Sequence, residues 1–280
     1  MMNQFKTLIL LAVLTALLLF AGSFFGTGGL IVAAVFAVLI NFGSYWFSDK
    51  IVLFIYKAKE AKKSEFSDMY KIVKEVADDA SLPMPKLYVV PSEQPNAFAT
   101  GRNEKHAAVA FTQGILTLLN KEELKGVIAH EMSHIKNKDI LITTIAATIA
   151  GVISYLAAMA RWGAIFGGGN DEDRGNNIIS LLIIGILTPI IAMLIQLAIS
   201  RSREYLADES GARTIKNPAA LASALEKLEK SAKSHPMRLG TQATSSLFIV
   251  NPFSGKAMLS LLSTHPPMEE RIRRLRAMRV

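Results

Sequence analysis

His130, Glu131 and His134, in the run His130-Glu131-Met132-Ser133-His134, carry the clearest chemistry in this chain. Residues four apart lie on one face of an α-helix, so both imidazoles can reach one metal ion. Glu131 is displaced around the helix, where its carboxylate can take a proton from an attacking water without being a ligand. The pattern fits metal-assisted hydrolysis of a peptide bond. Its bland alternative is a surface helix with two histidines. The chain has no cysteine, which excludes a thiolate metal site and a cysteine nucleophile. A zinc ion needs a third protein ligand, and the candidates are a carboxylate or one of His106, His235 and His265.

The helix that carries the motif is predicted to start at Asn120, with Glu123 three residues on as a capping box. It belongs to a chain that is poor in charge. Of 280 residues, 51% are hydrophobic and 19% charged, against about 25% charged in soluble domains. The apolar residues are concentrated in four uncharged stretches, Thr7–Phe25, Leu30–Phe47, Ile140–Ala160 and Ile178–Ile199. Each is close to the roughly 20 residues that cross a bilayer. The first is too long for a signal-peptide core and is followed at once by the second across Gly26–Gly29, so the pair reads as a retained hairpin. Tyr45, Trp46, Phe47 and Trp162 stand at span ends, where interfacial aromatics belong.

Lysines and arginines set the expected orientation. Lys50, Lys57, Lys59, Lys62 and Lys63 follow the second span, Lys136 and Lys138 precede the third, and Arg201 and Arg203 follow the fourth. The loop Arg161–Asn177 holds Asp171, Glu172 and Asp173 instead. Both termini and the segments 48–139 and 200–280 are therefore expected in the cytoplasm. The parts are 1–48, a transmembrane hairpin; 49–139, a cytoplasmic part with the motif helix; 140–200, a second hairpin; and 201–280, a second cytoplasmic part. Within the first cytoplasmic part, Glu65–Ala80 has helical spacing. Lys86–Val90 and Ala107–Phe111 are strand-like around the turn-rich Pro91–Asn103. The fold class is an α+β membrane protein, mostly helical, with four transmembrane helices. The net charge of +8 flanks the spans, which suits a lipid bilayer and no nucleic acid.

This topology narrows the third ligand. If spans three and four are antiparallel, His134 and Glu204 each lie about 7–9 Å beyond a span on the same side, at about 1.5 Å per residue. Glu204 is the favoured ligand. Asp208, one turn later, suits a carboxylate that accepts a hydrogen bond from a ligand imidazole. Against this, both acids can simply be solvated charges near Arg201 and Arg203.

His130–Asp139 (HEMSHIKNKD), Ser200–Asp208 (SRSREYLAD), Asn96–Gly101 (NAFATG) and Thr264–Arg271 (THPPMEER) together resemble the HtpX family of membrane-embedded zinc metallopeptidases. The resemblance covers essentially the whole chain. It implies a zincin-like catalytic domain with a small sheet, one Zn2+ per chain on His130, His134 and Glu204, and Glu131 as general base. It also implies that His265 and Arg271 lie near the active site, to contact substrate or stabilise the oxyanion. Asn96, Ala97 and Phe98 would belong to an edge strand that aligns an extended peptide. The implied role is quality control of unfolded or misfolded proteins, cleaved at the cytoplasmic face of a bacterial inner membrane. From the residues alone, His265 reads as a helix-ending residue and Asn96–Gly101 as a turn with strand. The run Arg271–Arg279 suits either anionic headgroups or a solvated helix face. Rival readings are a prenyl-protein endopeptidase of the CAAX type and a non-enzymatic membrane scaffold with a structural metal. An intramembrane protease is disfavoured, because charges bracket the motif.

Overall fold

A computed structural model of the chain describes residues 2–23, 26–149, 201–234, 244, 247–250 and 266–280. The fourth expected span, the second half of the third, the loop 161–177, His235 and His265 lie outside the described residues.

A four-stranded mixed sheet lies at the centre, with strands β1 (Lys59–Glu60), β2 (Lys86–Val90), β3 (Ala97–Gly101) and β4 (Ala107–Thr112) in the order β1-β2-β4-β3. β2 and β4 are parallel, while β1 and β3 pair antiparallel at the two edges. Alternation along the strands sends side chains into two separate cores. Leu87, Val89, Ala97, Ala99, Val109 and Phe111 face a helical layer. Val90, Phe98, Ala108 and Ala110 face the other way, onto Val52, Leu53, Tyr56 and Phe248. Burial on both faces explains why β4 reads as an unbroken apolar run. β3 lies within the segment whose composition predicts turns. Its strand character comes from pairing with β4 and not from its own residues.

The helical layer holds α3 (Ser67–Ala80) and α5 (Lys121–Lys136); the short α4 (Gln113–Leu118) leads from β4 towards α5. α3 buries Met69, Ile72, Val73, Val76, Ala77 and Ala80, the one-sided spacing of an amphipathic helix. α5 starts as expected. The Asn120 side chain accepts from the Glu123 N–H at 2.9 Å, and the Glu123 carboxylate accepts from the Asn120 N–H at 3.0 Å. α7 (Arg201–Ile215), α8 (Pro218–Ser234) and α9 (Met268–Ala277) complete the layer. α8 is fastened to α5 by Ser223 and Lys227, each 2.7 Å from a Glu123 oxygen.

Two helices precede the sheet, α1 (Met2–Ser23) and α2 (Gly26–Ile55). Among the described residues α2 is the one helix long and apolar enough to cross a membrane. Its 30 residues make about 45 Å, more than the roughly 30 Å of hydrocarbon. The helix therefore continues past the boundary expected at residue 48. Its last turns bury Val52 and Leu53 against the sheet, which holds them helical. Ile31, Val38, Leu39 and Phe42 are each more than half exposed, which suits a lipid environment and not water. Leu10 and Leu14 of α1 pack on Ile142, Ile145, Ala146 and Ile149 of α6 (Ile140–Ile149). Asn41 of α2 donates to Thr15 of α1 at 2.8 Å.

Candidate metal centre and active site

α5 and α7 meet backbone to backbone at Gly211. A methyl group at Gly211 would lie 2.8 Å from the His130 nitrogen and 2.9 Å from the Ala129 carbonyl carbon. Only a residue without a side chain lets the two helices approach this closely. Glu204 and Asp208, two turns and one turn before Gly211, are thereby brought over the histidines of α5. Both carboxylates are buried, at 7% and 4% exposure, so they are not solvated surface charges.

His130 Nε2 and His134 Nε2 stand 3.2 Å apart. Glu204 Oε2 is 3.7 Å from His130 Nε2, and its Oε1 is 3.6 Å from His134 Nε2. Donors about 2.05 Å from one tetrahedral ion are about 3.3 Å from each other, so all three separations fit a shared cation. The opposite ring nitrogens are engaged elsewhere. His130 Nδ1 lies 2.9 Å from Asp208 Oδ1, and His134 Nδ1 lies 3.1 Å from Asp139 Oδ2. A proton drawn to each Nδ1 by its neighbouring carboxylate would leave the Nε2 lone pairs facing one another. That arrangement is repulsive unless a positive charge lies between them.

The electrostatics agree. Burial pushes the His130 imidazole below its ordinary pKa, with Asp208 opposing. Burial also acts against a charged His134, but Asp139, Glu204 and Glu131 outweigh it and carry that group up to about 10. The carboxylates around the pair thus favour positive charge between the two rings, which suits a bound cation. Asp208 is held below the ordinary carboxylate range, although burial, the largest influence on it, acts upward; Arg271 and His130 overcome it.

Glu131 leaves the ligand group. Its Oε2 accepts from the Ala99 N–H of β3 at 2.8 Å, which aims the carboxylate along the outer edge of the sheet. Burial is the largest influence on Glu131 and pushes its pKa up to about 8. Ala99, His130, Glu131, His134, Thr143, Glu204 and the segment Leu247–Ile249 line a cavity of about 20 Å³, enough for one water.

Arg271 is fully buried. Its Nε and Nη2 each donate to Asp208 at 2.7 Å, Nη1 donates to the Ile249 carbonyl at 2.9 Å, and Nη1 is 3.4 Å from Glu204. Among the described residues it grips two carboxylates and a backbone carbonyl, so its place is behind the histidines and not in the cavity. Replacing it by Met strands Asp208 as a buried charge and is expected to destabilise the protein by about 3–5 kcal/mol. A thermal melt checks this, and adding Asp208→Asn to the same chain should restore part of the loss. The other arginines of α9 stay on the surface. Arg274 stacks 3.8 Å over the Tyr205 ring, and Arg276 pairs with Glu226 of α8.

Asn96, Ala97 and Phe98 turn their side chains inward. Asn96 donates to the Val250 carbonyl at 2.7 Å, and Phe98 packs against Tyr56 and Phe248. The outward feature of β3 is its backbone edge, which has no strand partner among the described residues. His106 is exposed, 2.7 Å from Asn103, away from this site. Sequence reasoning missed the role of Asp139, although the signal was present five residues after His134. Lys138 takes a left-handed backbone, φ 58°, and turns Asp139 back onto the helix end.

A model of peptidase family M48 matches residues 63–279, a span that contains every element of this centre. The chain belongs to peptidase family M48. This M48 peptidase is 53% identical over 280 residues to a protease HtpX homolog of Syntrophobacter fumaroxidans, covering 99% of each chain. It is 54% identical over 273 residues to one of Thermococcus kodakarensis, covering 97% of this chain and 94% of that one. In fold it is similar to S. mikatae Ste24p in its crystal structure, with a TM-score of 0.52 at 20% identity, over 98% of this chain and 65% of that one. The M48 chain is a membrane metallopeptidase with zinc as its cofactor, and His130, His134 and Glu204 are the group that can hold the ion.

Proposed function

We propose that the protein is a multi-pass membrane endopeptidase that cleaves unfolded or misfolded proteins on the cytoplasmic side, with one zinc on His130, His134 and Glu204. The observation that carries this reading is the arrangement of Glu131. It is held by an edge-strand N–H beside the three donors without joining them. When bound, zinc supplies Lewis acidity that activates water and polarises the scissile carbonyl. Glu131 takes the water proton and returns it to the leaving amine. Asp208 and Asp139 lie against the Nδ1 atoms of the two histidines, which would keep the ring protons there and leave each Nε2 free to hold the zinc. Arg271 is a positioning residue that holds Asp208 and Glu204.

β3 is an edge strand, and its Ala97, Ala99 and Gly101 N–H groups are bonded to Asn96, Glu131 and Thr144. A preference for extended chains would then rest on pairing with its carbonyls, which a folded substrate, its backbone already bonded internally, makes poorly. Packing of α1, α2 and α6 against one another supports the multi-pass arrangement, and the lysines after α2 support the cytoplasmic orientation. The prenyl-protein reading is weaker, since the relative matched at 53% identity over 99% of the chain is an HtpX homolog, while the likeness to Ste24p is one of fold at 20% identity. A structural metal alone would leave Glu131 without a purpose. The test is cleavage by zinc-loaded protein of casein, which is unfolded, and of a compact domain of similar size. Casein is expected to be cut at least tenfold faster, and the difference should vanish when the compact domain is destabilised. Equal rates on both folded and unfolded chains would overturn the proposed selectivity.

A further inference from the structure

A groove of about 770 Å³ separates the lower end of α2 from the β3–β4 hairpin. α2 contributes Trp46, Asp49 and Lys50, and the sheet side contributes Lys86, Arg102 and Lys105. Four cations thus face one carboxylate. Among the described residues none of the four makes an ion pair. Two of them lie on aromatic rings instead, Arg102 at 4.5 Å over Trp46 and Lys50 at 5.5 Å over Phe47.

The groove continues an apolar stripe. Val35, Leu39, Phe42 and Trp46 recur at helical spacing, are 43–67% exposed with their neighbour Val38, and run directly down to Lys50. Such a stripe suits acyl chains, the tryptophan suits the interface, and the cations suit a phosphate. We propose that this groove binds an anionic phospholipid, with its phosphate between Arg102 and Lys105 and its chains along the α2 stripe. The proposal goes beyond the peptidase activity and rests on the reading that α2 lies in the bilayer. A soluble acidic peptide shares the charge but has no use for the stripe.

The chain has two tryptophans, so Trp162→Phe leaves Trp46 as the single reporter. The full-length protein in phosphatidylcholine nanodiscs is given a small mole fraction of either phosphatidylglycerol or phosphatidylcholine brominated at carbons 6 and 7, and Trp46 quenching is read. The brominated phosphatidylglycerol is expected to be enriched at Trp46 by about tenfold or more over the brominated phosphatidylcholine. In Arg102→Gln with Lys105→Gln the two lipids should quench within about twofold of each other, while Arg102→Lys keeps most of the preference. Equal quenching by both lipids in the parent protein overturns the site and leaves the membrane reading intact. Quenching by neither overturns both. Loss of the preference on adding hexaglutamate or sn-glycerol 3-phosphate at millimolar concentration overturns it in favour of a soluble acidic ligand.

Discussion

With Glu131 replaced by Gln, the purified protein is expected to keep its zinc and its melting temperature while cleaving casein about 10²–10⁴-fold more slowly. The substitution is nearly isosteric. An amide oxygen can still accept the 2.8 Å hydrogen bond from the Ala99 N–H, so the geometry of β3 against α5 is retained. The three donors are untouched, because Glu131 is not one of them. What disappears is a carboxylate able to take a proton from water and give it back. The loss should appear in kcat, with KM little changed, since the carboxylate acts on the reacting water and not on the bound chain. Metal content and single-turnover cleavage together decide the matter. Near-normal turnover in a zinc-loaded Glu131→Gln protein would remove this residue from the mechanism.

Glu204→Ala is expected to abolish activity by a different route, through loss of the ion. Removing a carboxylate that merely holds a ligand in place weakens metal affinity by about 10–100-fold. Removing a ligand should exceed that range, so zinc affinity is expected to fall by more than about a hundredfold. Asp208→Asn supplies the internal comparison, because it changes the partner of His130 Nδ1 and leaves all three donors in place. The two variants should therefore separate in a zinc titration, with Glu204→Ala the weaker binder. Arg271 keeps its two hydrogen bonds to Asp208 in Glu204→Ala, which protects the fold from a second defect. If Glu204→Ala retained one tightly held zinc per chain, the ligand would have to be sought elsewhere.

The parts of the centre that were legible in the sequence are those fixed by local periodicity or by strong composition. Two histidines four apart declare a shared helical face, and Asn120 with Glu123 declares where that helix begins. Glu204 is reachable through two spans returning to one side or through the family resemblance, and through no local pattern. The burial of Glu204 and Asp208 then follows from packing against α5, which no local pattern encodes. Less legible was everything decided by the approach of distant segments. β3 is a strand because β4 pairs with it, and Pro91–Asn103 therefore reads as turns when taken alone. Arg271 looks like one of five arginines in the basic run 271–279, yet it alone is buried to the last atom among Asp208, Glu204 and a backbone carbonyl. Gly211 has no chemistry to notice. Its meaning appears only beside Ala129 and His130.

The near-contact of α7 with α5 at that glycine has a consequence for how the enzyme depends on its ion. Two packed backbones, and not coordination bonds, set the spacing of the donors. Small metal-nucleated modules differ, because in them binding and folding are one event. Here a chelator should silence the enzyme while leaving its far-ultraviolet circular dichroism and helix content intact. Replenishing zinc should then restore cleavage on the timescale of diffusion into the cleft, with no refolding phase. Ion supply becomes a reversible throttle on a scaffold that waits, already shaped, for its return.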